Sequence, residues 1–94
     1  MSKLDDLPNI GAVLAGRLRV AGIDSAEDLA RLGDAAAFMR IRAELPDDAC
    51  THTRLALAGA VRGVRWHTLD KELRERLTAE AHGPTTAPAK SRRG

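Results

Sequence analysis

The stretch LPNIGAVLAGRLRVAGI, Leu7–Ile23, decides how this chain folds. It reads as a tight turn feeding a helix. Pro8 presets φ for the turn, and Asn9 is one of the few residues besides glycine that tolerates a positive φ. Gly11 lets the backbone open into a helix with nothing covering its first amides. Ile10, Leu14 and Leu18 fall four apart, with Val13 and Ala21 beside them, so one apolar stripe is expected along a helix over 10–21. Gly22 stands where a left-handed residue ends a helix, and Ile23 is placed to pack back on it.

Counted from Leu4, the spacing is similar to the helix-hairpin-helix motif. Asn9 stands where the first glycine is usual, while Gly11, Ala15 and Leu18 match. Two readings follow. In one, the bare N–H groups of residues 11–13, with the positive end of the helix dipole behind them, meet a nucleic-acid phosphate without reading sequence. Asn9, Gly11, Ala12 and Val13 would then form the contact. In the other, the hairpin only packs against its neighbours. One departure weighs against a strong clamp. Related hairpins often carry Lys or Arg directly after the glycine, and here the first basic residue is Arg17.

Composition bounds the function. At 94 residues the chain is one small domain with a modest core. Its longest apolar run falls far short of the ~20 residues that a membrane span needs. The N-terminus has no apolar signal region, and the lone Cys50 cannot form an internal disulfide, so a cytoplasmic location is expected. The net charge of +2 owes much to Lys90, Arg92 and Arg93. Without them twelve basic residues face thirteen acidic ones, which is no excess for phosphate neutralisation. Arg17, Arg19, Arg54, Arg62 and Arg65 could still converge on one face. With Phe38 and Trp66 the only aromatics, a base-stacking platform is unexpected.

The rest of the chain reads as short helices. Ser2 and Asp5 have capping-box spacing ahead of a short helical turn, with Leu4 and Leu7 facing inward. Asp24-Ser25 and two acids start a helix that runs to about Leu32, where Gly33 stops it. Asp34 is read as the cap of the next helix, to about Ala43, with Phe38 and Ile41 on its apolar side. Asp47-Asp48 are read as the cap of a helix from about Ala49 to Gly63, apolar nearly all round and therefore central. Gly59 and Gly63, four apart, predict a close helix crossing. Val64–Thr68 is a connection, with Trp66 either closing the core or standing out as an anchor. A last helix to His82 carries the stripe Leu69, Leu73, Leu77 and Ala81. Residues 83–94 lack any large apolar residue and are expected to be a mobile basic tail. The expectation is an all-α bundle of five or six short helices, residues 1–82, built on the hairpin.

Several of these features together resemble the C-terminal domain of the TfoX/Sxy family, regulators associated with bacterial natural competence. They are the Asn-Ile-Gly hairpin, the Ala21-Gly22-Ile23 helix exit, the helix ending LARLG, and LALAGAVRGVRW followed by His67-Thr68-Leu69. The resemblance covers roughly residues 4–80. It implies an all-α, helix-hairpin-helix-like fold, and in full-length relatives an α/β domain precedes it. This chain is then expected to be a stand-alone version, as Met1 suggests, or an excised piece. The family supplies no catalytic residues to carry over.

No other chemistry is indicated. Cys50 and His52 form a Cys-x-His pair, but His67 and His82 do not complete a zinc spacing, and no orienting third group marks Cys50 as a nucleophile. No metal, cofactor or catalytic residue is expected. The expected function is a non-enzymatic regulatory or adaptor module. It would act through a regulatory protein partner, through weak sequence-independent contact with double-stranded DNA, or both. In the DNA case Arg17, Arg19 and the Arg62/Arg65 pair would assist the hairpin amides. The competing reading is an accessory domain that positions nucleic acid for a catalytic partner chain. A monomer or weak homodimer is expected, self-association requiring that the Ala/Gly-rich central helix be uncovered.

Overall fold

The computed structural model describes residues 3–82, so Ser2 of the expected capping box and the expected tail at 83–94 lie outside it. Every regular element among the described residues is helical. A 3-10 turn at Leu4–Asp6 leads through the hairpin into helix α1, Ala12–Val20. There follow α2, Ala26–Leu32, and α3, Asp34–Glu44. A 3-10 turn at Pro46–Asp48 leads to α4, Thr51–Arg62, and another at Trp66–Thr68 to α5, Lys71–Ala81.

The stop signals act as the residue types require. Asn9 adopts φ 70°, and Gly22 φ 85°. Beyond Gly22, the Ile23 N–H donates to the Leu18 carbonyl at 2.8 Å, which turns the chain back over the end of α1. Ser25 caps α2 by accepting from the Asp28 amide at 3.1 Å, and Asp70 caps α5 through the Glu72 amide.

Two helix starts differ from expectation. Gly33, not Asp34, is the N-cap of α3, and its carbonyl takes the first helical bond from Ala37. Asp34 lies inside the helix, and Arg54 and Arg62 draw its carboxylate away from any capping role. Likewise Asp47-Asp48 do not cap α4. Pro46 folds them into a 3-10 turn, and α4 begins at Thr51 behind Cys50.

The core is built around α4, which is buried without a break from Thr53 to Ala60. Leu4, Ile10, Leu14, Leu18, Ile23, Leu29, Phe38 and Ile41 close on its Ala56, Leu57 and Ala60. The central helix is therefore covered, and the bare surface that the self-association reading needed is not there. Val13 departs from the expected stripe. It is 68% exposed, because Ala15 takes the inward position beside Leu14. A second, smaller cluster of Leu55, Ala58, Leu69 and Leu77, edged by Trp66 and Leu73, seats α5 on the far side of α4.

The glycine pair on α4 has a different purpose from the expected helix crossing. Gly63 is the left-handed C-cap, φ 74°, with open space where a Cβ would be. Gly59 makes the close approach, but to a turn. A Cβ there would lie 2.7 Å from the Val64 carbonyl oxygen and 3.1 Å from the Trp66 nitrogen, and against the Asn9 side-chain amide.

Candidate nucleic-acid interface

The hairpin is fixed from behind by Asn9. Its Nδ2 donates to the Val64 carbonyl at 2.9 Å and, more loosely, to that of Ala56 at 3.4 Å. Its Oδ1 accepts from the Trp66 amide at 3.0 Å. The residue that replaces the motif's first glycine thus keeps the left-handed turn and adds a side-chain staple to the end of α4. The staple turns the Asn9 side chain inward, so it is not free to meet a phosphate.

In front, the start of α1 is open. Gly11 is the N-cap and has no side chain to offer, and the first helical bond is Ala15 N–H to the Gly11 carbonyl at 2.9 Å. The amides of Ala12, Val13 and Leu14 precede that bond, and residues 11–13 are exposed. The surface here is a groove of about 290 Å³ lined by Asn9, Gly11–Leu14, Arg17, His52 and Thr53. Asn9, Gly11, Ala12, Val13 and Arg17 are thereby brought together. The Arg17 guanidinium holds Asp48 at 3.1 Å, which offsets its charge.

The remaining arginines do not gather there. Arg54, considered with the others for one basic face, is 3% exposed. It bridges Asp34 at 2.7 Å and Glu80 at 2.9 Å, inside the bundle. Burial pushes the Asp34 carboxyl up, but the hydrogen bond and charge of Arg54, then its own backbone amide and Arg62, hold it below the ordinary carboxylate value. Arg62 turns back along α4 to the Ala58 carbonyl at 2.8 Å and lies 3.5 Å from Asp34. It therefore parts from Arg65, which is exposed. Arg19 and Arg65 make no ion pair among the described residues. The expected convergence of five arginines fails because charge pairing inside the domain takes Arg54, Arg62 and Arg17.

Thr53 and His52, the latter weighed in the sequence only as half of a Cys-x-His pair, are groove residues that the expected phosphate contact did not include. Nothing local in the sequence signals them, because their place depends on where α4 starts relative to α1. Leu45-Pro46 stands before α4 as Leu7-Pro8 stands before α1, but Pro46 opens a 3-10 turn while Pro8 leads into the left-handed Asn9. His52 is exposed and meets Trp66 edge-on, with ring centres 5.8 Å apart, while Trp66 meets His67 in the same way at 5.9 Å. Trp66 is half-buried against the second cluster, between the two expectations for it. The Cys50 thiol is held below its ordinary value by the Thr53 hydroxyl at 3.3 Å, against the upward push of burial, with the amides of Thr53, His52 and Cys50 adding to the lowering. The described residues hold no group of three metal-ligating side chains. No helix among them is long and apolar enough to cross a membrane.

An open hairpin with the Asn-Ile-Gly turn, set on this bundle, is matched over residues 1–81 by the family model for the TfoX C-terminal domain. The chain belongs to that family. Two crystal structures from Listeria monocytogenes share the fold. One is described as an uncharacterized protein, in a triclinic form. It is 38% identical with a TM-score of 0.80, covering 86% of this chain and 91% of its own. The other, a protein of unknown function in a tetragonal form, is 40% identical with a TM-score of 0.78, covering 85% and 96%. Comparison with the curated proteins gave no match. As a TfoX C-terminal domain, the chain has a family resemblance that rests on the whole bundle as well as on the hairpin.

Proposed function

We propose that this TfoX C-terminal domain is a non-enzymatic regulatory or adaptor module of the cytoplasm, which touches double-stranded DNA weakly through one backbone phosphate at the Gly11–Val13 amides. The observation that carries this reading is the uncapped, exposed start of α1, in a hairpin stapled from behind by Asn9. Arg17 stands at the edge of the same groove, and Arg19 and Arg65 add long-range attraction. With so few free cations the affinity is sequence-independent, weak and strongly salt-dependent.

The test is an NMR titration of the chain with a short duplex at ~50 mM salt, where counterion release favours binding. The amides of residues 11–14 are expected to shift first. Ala12→Pro is the informative variant. Ala12 is the first helical residue, where proline is tolerated, and Gly11 already has the extended backbone that a following proline requires. The variant therefore deletes one amide donor and spares the fold, and binding should weaken several-fold. No shift at low salt would leave the protein-contact reading.

A further inference from the structure

Between α4, the turn that follows it and α5 lies a groove of about 420 Å³, lined by Leu55, Trp66, Lys71, Arg74, Glu75 and Thr78. Its volume falls within the range of small-ligand sites. Leu55, buried, and Trp66, half-buried, give it an apolar wall. Its polar side comes from α5. Thr78 is already engaged, since its hydroxyl donates to the Arg74 carbonyl at 2.8 Å. Lys71, Arg74 and Glu75 make no ion pair among the described residues.

Arg74 carries the argument. Its Nε is buried and has no hydrogen-bond partner among the described residues. Elsewhere in the domain Arg17, Arg31, Arg54 and Arg62 each reach a carboxylate. A buried donor left without an acceptor is costly, and an acceptor that reaches it recovers that cost. No ion pair has to break for this guanidinium to turn toward one.

We propose that the groove binds a small organic acid, with its carboxylate held by Arg74 and Lys71 and its apolar body laid against Trp66 and Leu55. The charges select a single carboxylate. Lys71 and Arg74 bring two positive charges and Glu75 one negative, so the surplus matches one anionic group, while a multiply charged phosphate would meet Glu75 with charge in excess. The guanidinium fork fits both oxygens of a carboxylate. The apolar wall gives an acid with an aromatic or branched aliphatic body an advantage over acetate. This site stands apart from the start of α1 and does not depend on the phosphate reading.

The experiment is a two-dimensional nitrogen–proton NMR titration of the full chain with hydrocinnamate near neutral pH, following the Arg74 Nε–H and the Trp66 indole N–H. Both signals are expected to shift saturably in the millimolar range that a ligand of this size reaches. Hydrocinnamamide, the neutral isostere, should bind about tenfold more weakly, as should hydrocinnamate to Arg74→Gln, because each lacks the charged pair. Acetate and inorganic phosphate should also bind more weakly than hydrocinnamate. Circular dichroism checks that Arg74→Gln is folded, and if it is not, the acid and amide compared on wild type decide. No saturable shift at Arg74, an amide that binds as well as the acid, or an Arg74→Gln protein that binds as wild type does overturns the proposal. Phosphate or acetate binding as tightly as hydrocinnamate overturns it too, by making the site one for inorganic or bodiless anions.

Discussion

Gly59→Ala is a sharp test of how the hairpin is held. The added methyl would sit 2.7 Å from the Val64 oxygen and 3.1 Å from the Trp66 nitrogen, both backbone atoms, and against the Asn9 amide. Those atoms cannot rotate away, so the turn after α4 must move outward. That movement breaks the 2.9 Å and 3.0 Å bonds from Asn9, which contribute about 1 kcal/mol each. Crowding adds roughly 1–2 kcal/mol. Against this, alanine improves the helix by about 1 kcal/mol over glycine. The net loss is about 2–3 kcal/mol, or roughly 10–20 °C in Tm for a domain of this size. Urea unfolding followed by the fluorescence of Trp66, the only tryptophan, and by circular dichroism, measures it. Asn9→Gly keeps the left-handed turn and removes the staple, so it should cost about 1–2 kcal/mol. In the double variant the two costs should sum to less than their separate values, because both break the same bonds. A Gly59→Ala protein as stable as wild type would refute the reasoning, since helix propensity alone would then have decided the outcome.

Other outcomes follow from the charges. Arg54→Ala leaves Asp34 half-buried without its main partner and should destabilise by about 3 kcal/mol, while replacing Arg54 and Asp34 together by leucine should recover most of that. Thermal melts of the two proteins decide between them. Asp34 is held below its ordinary 3.8 in the fold, so its contribution is present above that pH and is lost as pH falls through the lower folded value. Acid unfolding of Asp34→Asn should accordingly show a shallower pH dependence below about pH 4 than wild type. The Cys50 thiol, lowered chiefly by the Thr53 hydroxyl, should react with iodoacetamide faster near neutral pH than in Thr53→Val, as mass spectrometry of timed samples would show.

The helices were legible because their signals are local. Apolar spacing, Ser25 and Asp70 at helix starts, and glycines 22, 33 and 63 at helix ends lie within a few residues of the features they cause. The open start of α1 was legible for the same reason, since Gly11 has no side chain that could close it. What escaped depends on partners far along the chain. Asp34 has the residue type of a cap, yet Arg54, twenty positions on, draws it elsewhere. Asn9 fits a positive φ from sequence alone, but its staple to Val64 and Trp66 requires knowing that α4 ends beside the hairpin. Gly59 is conspicuous as a helical glycine, though what fills the space above it could not be read from spacing. The basic face failed for a related reason. A count of arginines does not record which of them are already bound to acids.

The seating of α5 on its own small cluster has a dynamic consequence. Leu77 is the one residue of this helix that is buried, and Arg54 to Glu80 and Arg42 to the Glu80 and Ala81 carbonyls tie its far end. Such a helix is released by a much smaller fluctuation than the one that melts the bundle. Its backbone protons should therefore trade with deuterium from solvent long before those of α4. Each such opening would momentarily bare Leu55 and Ala58 on α4 to solvent.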